Sequence, residues 1–178
     1  MPLVVAGCAA APAPAASTAT TSVAGTPSSA AATGDANTPP AAAQMVCSDE
    51  IRRAVTGALG VDSVPAPRST WADQLYTCTY AVPQGPLVLS VSVSPTNAAA
   101  GDRLETMRGQ LGAGQPEAGL GERAYSADDG TVLAVKDNMV LHVDATALPD
   151  DLGVVHERRI DLARVLAGAV FNCWIGND

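Results

Sequence analysis

From Ala9 to Gln44 the chain is almost entirely Ala, Pro, Ser, Thr and Gly, with Asp35 as its only charge and no aromatic residue. Such a stretch has nothing to bury beyond Ala and the single Val23, so collapse cannot offset the entropy of ordering it. Folding is thereby confined to the remainder of the 178 residues, about 46–178. That is one domain with a modest core. With one Phe, two Trp and three Tyr, the core must be built from Val, Leu, Ile and Ala. The Pro content of the tract biases it to extended conformations. Its roughly 36 residues span about 110 Å as polyproline II or about 35 Å as a coil, which suits a tether.

Charge excludes one class of partner. Eighteen acids against ten bases leave a formal charge of −8. The basic residues all fall between Arg52 and Arg164 and nowhere cluster beyond the pairs Arg52-Arg53 and Arg158-Arg159. A nucleic-acid backbone needs a concentrated basic stripe, so nucleic acid is not expected as a partner. Anionic lipid headgroups would be repelled too, so attachment to a membrane must come from something other than electrostatics.

Within the folding unit, periodicity marks the elements. Ser48 is placed to cap a helix with Asp49 and Glu50 in its first turn and Gly60 at its end, and Ile51, Val55 and Leu59 on one face. Residues 75–82 alternate, with Tyr76, Cys78, Tyr80 and Val82 on one side, and residues 86–94 answer across a Pro83-Gln84-Gly85 turn. A second helix is expected after Thr96 or Asn97, firm from Asp102 and ended by Gly112. Three short strands follow between Gly119 and Ala145, turning at Asp128-Asp129-Gly130 and Asp137-Asn138. A last helix is expected from about Val155 to Trp174. The order predicts an α+β fold: an antiparallel sheet of about five strands with helices packed on one face, a two-layer sandwich.

Little of this sequence carries chemistry. Setting Cys8 aside leaves Cys47, Cys78 and Cys173, all at core-facing positions. An exported protein should oxidise one pair. Cys47–Cys78 is favoured, which leaves Cys173 a buried free thiol, and Cys78–Cys173 is the competitor. No close Cys/His pairing of the kind a structural zinc site uses occurs, so no metal and no cofactor are expected. Of the two histidines, His142 sits on an apolar strand and His156 beside Glu157, where a base is not the default reading. An enzyme would have to use Cys173 as nucleophile or His142 as base. The carboxylates of Asp128-Asp129 lack the alternating oxygen spacing of a calcium loop, and the Gly-rich segment 112–121 lacks the setting of a phosphate loop.

Residues 5–8, Val-Ala-Gly-Cys, have the form of a lipobox, and the low-complexity tract starts immediately after Cys8. Residues 1–8 look like the truncated end of a lipoprotein signal peptide, with the natural start expected upstream. That resemblance implies a diacylglycerol on the Cys8 sulfur, a tether over 9–45 and an extracytoplasmic domain over 46–178. The same box, the Ala/Pro/Thr tether, Cys47 with Cys78-Thr79-Tyr80, the segment GLGERAY at 119–125 and the terminal CWIGND together resemble small actinobacterial, mycobacterial-type cell-envelope lipoproteins, DUF3558-like. The resemblance implies an α+β domain with no known catalytic residues, held at the outer face of the cytoplasmic membrane by its lipid anchor. A non-enzymatic binding or sensor module for an envelope protein or small ligand is therefore expected, with a hydrolase or thiol enzyme using Cys173 or His142 as the alternative.

Overall fold

The computed structural model describes residues 37–112, 114–152 and 157–175. Among them the chain forms a short helix α1 (Ala41–Gln44), a 3-10 turn (Met45–Cys47) and helix α2 (Asp49–Leu59). Strands β1 (Arg68–Ala72), β2 (Leu75–Val82) and β3 (Gly85–Val93) follow, then helix α3 (Asn97–Arg108). Strands β4 (Gln115–Glu117), β5 (Arg123–Ala127), β6 (Thr131–Lys136) and β7 (Met139–Asp144) complete the main sheet, and β8 (Asp151–Leu152) and β9 (Glu157–Arg158) make a separate ribbon before helix α4 (Arg159–Ile175). The main sheet has the order β1-β2-β3-β7-β6-β5-β4, with every pair antiparallel.

The α+β class agrees with the expectation, but two finer points need correction. The sheet has seven strands rather than five, with one further edge strand on each side. β1 is exposed at four of its five positions and shows no apolar alternation; β4 is three residues long with Pro116 at its centre. Neither carries the period-2 burial signal that betrays a strand. The helices also occupy both faces, so the domain is not a two-layer sandwich. One face buries Tyr76, Cys78, Tyr80, Leu89, Val132 and Leu141 with α2 and α4. The other packs Leu133, Val135 and Val140 against Ala100 and Leu104 of α3. The five positions Thr131–Val135 of β6 are buried without a break, as a strand covered on both sides must be.

Helix ends follow local chemistry. The Ser48 hydroxyl accepts from the Ile51 N–H at 3.3 Å, and Gly60 closes α2 at φ 64° in the left-handed region that a Cβ disfavours. Thr96 caps α3 through the Ala99 N–H, so this helix starts at Asn97, ahead of the firm start expected at Asp102. At Gly101, which is buried in this helix, a Cβ would meet only the Nη2 end of the flexible Arg123 side chain, which can move aside. α4 starts at Arg159 rather than Val155, since Glu157 and Arg158 pair with β8 instead.

Helical structure is already present before residue 46. Residues 41–45, expected to belong to the tether, are helical, and Ala43 and Val46 are fully buried. Alanines that have nothing to bury in isolation here lie against a wall supplied by the domain.

Candidate functional site

The segment through which the chain enters the domain is fastened at three points. The Trp174 indole N–H donates to the Ala42 carbonyl at 2.8 Å, and the buried Tyr80 hydroxyl donates to the Val46 carbonyl at 2.7 Å. Next in the chain, Cys47 is disulfide-bonded to Cys78 on β2, with 31 residues between them in sequence. Burial pushes the Tyr80 phenol well above its ordinary pKa, with Tyr76 and Asp49 adding to the rise and Arg52 opposing it. The hydroxyl therefore stays protonated and a donor at any physiological pH. Because α1 and the 3-10 turn are held by a helix on one side and a strand on the other, this segment, the root of the described domain, is fixed to the core.

Beside this root three cavities adjoin around the β6–β7 turn. The first, about 320 Å³, is walled by Ala41, Ala42, Met45, Met139 and Trp174 and reaches Lys136 and Asp137. The second, about 390 Å³, shares Lys136 and Asp137 and continues past Gly121 to Phe171 and Asn172. The third, about 690 Å³, shares Ala42 and Met139 and runs along Pro39, Pro40, Val93 and Ser94. These volumes are in the range of small-molecule sites, and a mainly apolar lining with a few polar groups is the usual make-up of one. The rings of Phe171 and Trp174 meet edge to face at 5.0 Å, which sets the aromatic wall. The polar rim is tied down: Lys136 Nζ lies 3.1 Å from Asp137 Oδ2, and the Asp137 N–H donates to Glu122 Oε1 at 2.9 Å. Gly121 is obligatory here, with φ 58° and a would-be Cβ 2.4 Å from the Val135 carbonyl oxygen.

The residues singled out from sequence do not come together. His142 pairs with Leu133 across β6–β7 and so faces α3, while Cys78 and Cys173 belong to the core on the opposite face. The sheet separates imidazole from sulfur. Burial lowers the His142 pKa, partly countered by Asp144 and Asp129, so the ring is neutral near pH 7. Cys173 is buried and disulfide-bonded, which corrects the free thiol expected there, and the Cys47–Cys78 bond rules out the competing Cys78–Cys173 pairing. Cys8 and His156 lie outside the described residues. Asp129 shapes its turn by accepting the Thr131 N–H at 2.9 Å, and among the described residues no group of His, Cys, Asp and Glu is arranged to hold a metal ion.

One polar cluster escaped the sequence reading. Glu117 accepts from the Ser126 hydroxyl at 2.7 Å and from Arg164 Nε at 2.8 Å, while Arg164 Nη1 reaches Asp161 at 3.1 Å. The hydrogen bond from Ser126 does most to hold the Glu117 carboxyl below its usual range; burial opposes it, and the hydrogen bond and charge of Arg164 add to the lowering. The cluster pins edge strand β4 to α4. Glu117 and Arg164 are 47 residues apart, and no local spacing could have joined them.

Comparison with family models, with curated proteins and with solved structures gives no match for this chain.

Proposed function

We propose that this chain is a non-enzymatic binding module of the cell envelope, anchored in its mature form at the outer face of the cytoplasmic membrane by a lipid on Cys8, in place of any disulfide at that sulfur, and taking a small ligand or an envelope protein at the cleft around the β6–β7 turn. The observation that carries the reading is the Cys47–Cys78 disulfide at the root of the tether. Disulfides persist in oxidising compartments, and this one fastens the domain at the point where a tether would pull on it. The Ala/Pro/Ser/Thr tract that begins at Ala9 then separates anchor from domain, and the cleft opens beside α1, with Trp174 and Met139 as its apolar walls. Two or three acyl chains on Cys8 would make the attachment stable where one would be marginal.

The test is the mass of the N-terminal peptide, recovered without reduction from membranes of a host that processes lipoproteins. A mature chain beginning at a diacylglyceryl-modified Cys8, together with release of a Cys8→Ala variant from the membrane fraction, is the expected result. Recovery of Cys8 unmodified, or linked to the peptide that contains Cys173, sinks the anchor, since a sulfur in a thioether cannot close a disulfide.

A further inference from the structure

The two edges of the sheet are unlike. β4 is three residues long, carries Pro116 and is tied to α4 through Glu117, which are the devices by which natural sheets prevent pairing with another chain. β1 has five residues, Arg68-Ser69-Thr70-Trp71-Ala72, with no Pro, Lys or Gly. On its inner side it pairs with β2 along its whole length, and among the described residues it ends the strand order on the other. All but Trp71 are exposed.

The charge along this edge is arranged by sign. Arg68 begins the strand, and Asp73 follows its last residue, in a turn where Asp73 and Gln74 both have positive φ. Neither Arg68 nor Asp73 enters an ion pair or side-chain hydrogen bond among the described residues. A strand positive at its start and negative just past its end is complementary to itself when turned antiparallel. Pairing about a two-fold axis at Thr70 sets Arg68 opposite Ala72 of a second copy, and so one residue from that copy's Asp73. The contact occurs twice by symmetry. A parallel arrangement would instead bring Arg68 beside Arg68.

We propose that β1 is a self-association edge, and that two copies of this chain join through antiparallel β1–β1 pairing centred on Thr70 into one continuous sheet. Five paired residues bury well below the roughly 1,200 Å² at which stable complexes begin, so the contact belongs to the weak class, with a Kd on the order of 0.1 mM. Copies confined to one surface would meet at a higher effective concentration than copies in solution.

Sedimentation of the full chain from roughly 10 μM to 1 mM, a range that brackets that Kd, tests the proposal. The weight-average mass is expected to rise toward that of a dimer. Thr70→Lys, which sets like charges face to face on the axis, should hold it at the monomer value with the melting temperature unchanged, because Thr70 is exposed. Arg68→Asp should weaken association about tenfold. Cross-linking reads the register: Thr70→Cys chains should join under mild oxidation, while Arg68→Cys chains, whose sulfurs would be about 13 Å apart along the strand, should not. A chain that remains monomeric at 1 mM, a dimer that survives Thr70→Lys, or equal cross-linking at both positions overturns the proposal.

Discussion

Tyr80→Phe isolates one of the three fastenings of the root segment 41–47, because it deletes a single oxygen and leaves the ring in place. Tyr80 is fully buried, and its hydroxyl donates at 2.7 Å to the Val46 carbonyl, itself in a fully buried residue. The variant loses a hydrogen bond with a net value of about 1 kcal/mol and leaves a buried carbonyl without its donor, which costs a further 1–2 kcal/mol or so. A loss of about 2–3 kcal/mol in global stability is expected from urea unfolding at pH 7 under oxidising conditions. Tyr76→Phe is the internal control. Tyr76 lies on the same face of the same strand, but its hydroxyl has no hydrogen-bond partner among the described residues, so that variant should change stability by less than about 0.5 kcal/mol. The signature is also local: amide exchange over 41–47 should accelerate in Tyr80→Phe more than exchange in β6 or β7. Equal effects for the two tyrosines, or an unchanged exchange pattern over 41–47, would refute the claim that this hydroxyl holds the root. The pH dependence has a definite sign. With its pKa raised in the folded state, the phenol releases its proton in the unfolded chain first, so stability falls as pH rises past about 10. Tyr80→Phe should flatten that alkaline loss.

Replacing Cys47 and Cys78 together, by Ser and Ala, should cost about 3–4 kcal/mol for a loop closed over 31 residues, read from the shift in urea midpoint. Gly121→Ala should cost about 2–4 kcal/mol, because a Cβ there meets a backbone oxygen and the Phe171 ring; Gly57→Ala, in the middle of α2 with no atom near its would-be Cβ, should gain about 0.5–1 kcal/mol. Thermal melts of the pair should therefore move in opposite directions. Glu117, whose pKa the Ser126 and Arg164 hydrogen bonds lower, contributes stability that is present above the ordinary carboxylate pKa near 4.3 and lost as pH falls through its lower folded value. Glu117→Gln should thus lower the urea midpoint at pH 6 and leave it unchanged near pH 2.5; an equal loss at both would assign the effect to packing. His142 should titrate below its ordinary value of 6.5, seen by following its ring Cε1 proton with pH, and a midpoint at or above 6.5 would contradict its burial.

What could be read from the sequence was whatever is written locally. The α2 cap needs only Ser48, Asp49, Glu50 and Gly60, and the β2–β3 hairpin needs only alternation on either side of a short turn; both stand in the structure at the expected residues. Alternation also pointed Cys78 inward, and helical spacing did the same for Cys47, which left their pairing one of two candidates. What was not legible depends on distant residues. α1 has no apolar face of its own worth burying and is ordered by Trp174, 132 positions away. β1 and β4 are strands because β2 and β5 offer them hydrogen bonds, and their exposed side chains record nothing of it.

The cleft illustrates the same limit at the level of the site. Its walls come from the segment 41–45, the β6–β7 turn and the end of α4, and no two of these are neighbours in sequence. The sequence features that looked chemical, the thiols and His142, are each absorbed by packing on opposite faces of the sheet. Met139 and Lys136, which looked like ordinary ends of strands, define the opening. The reason is geometric: β6 is buried on both faces, so its side chains are consumed by the two cores and only the residues of its turn remain to meet a ligand. A cleft formed at the end of such a strand takes its character from the elements that converge on the turn. Here the converging element is α1, the first helix among the described residues, so its docking against Trp174 completes both the fold and the wall of the site.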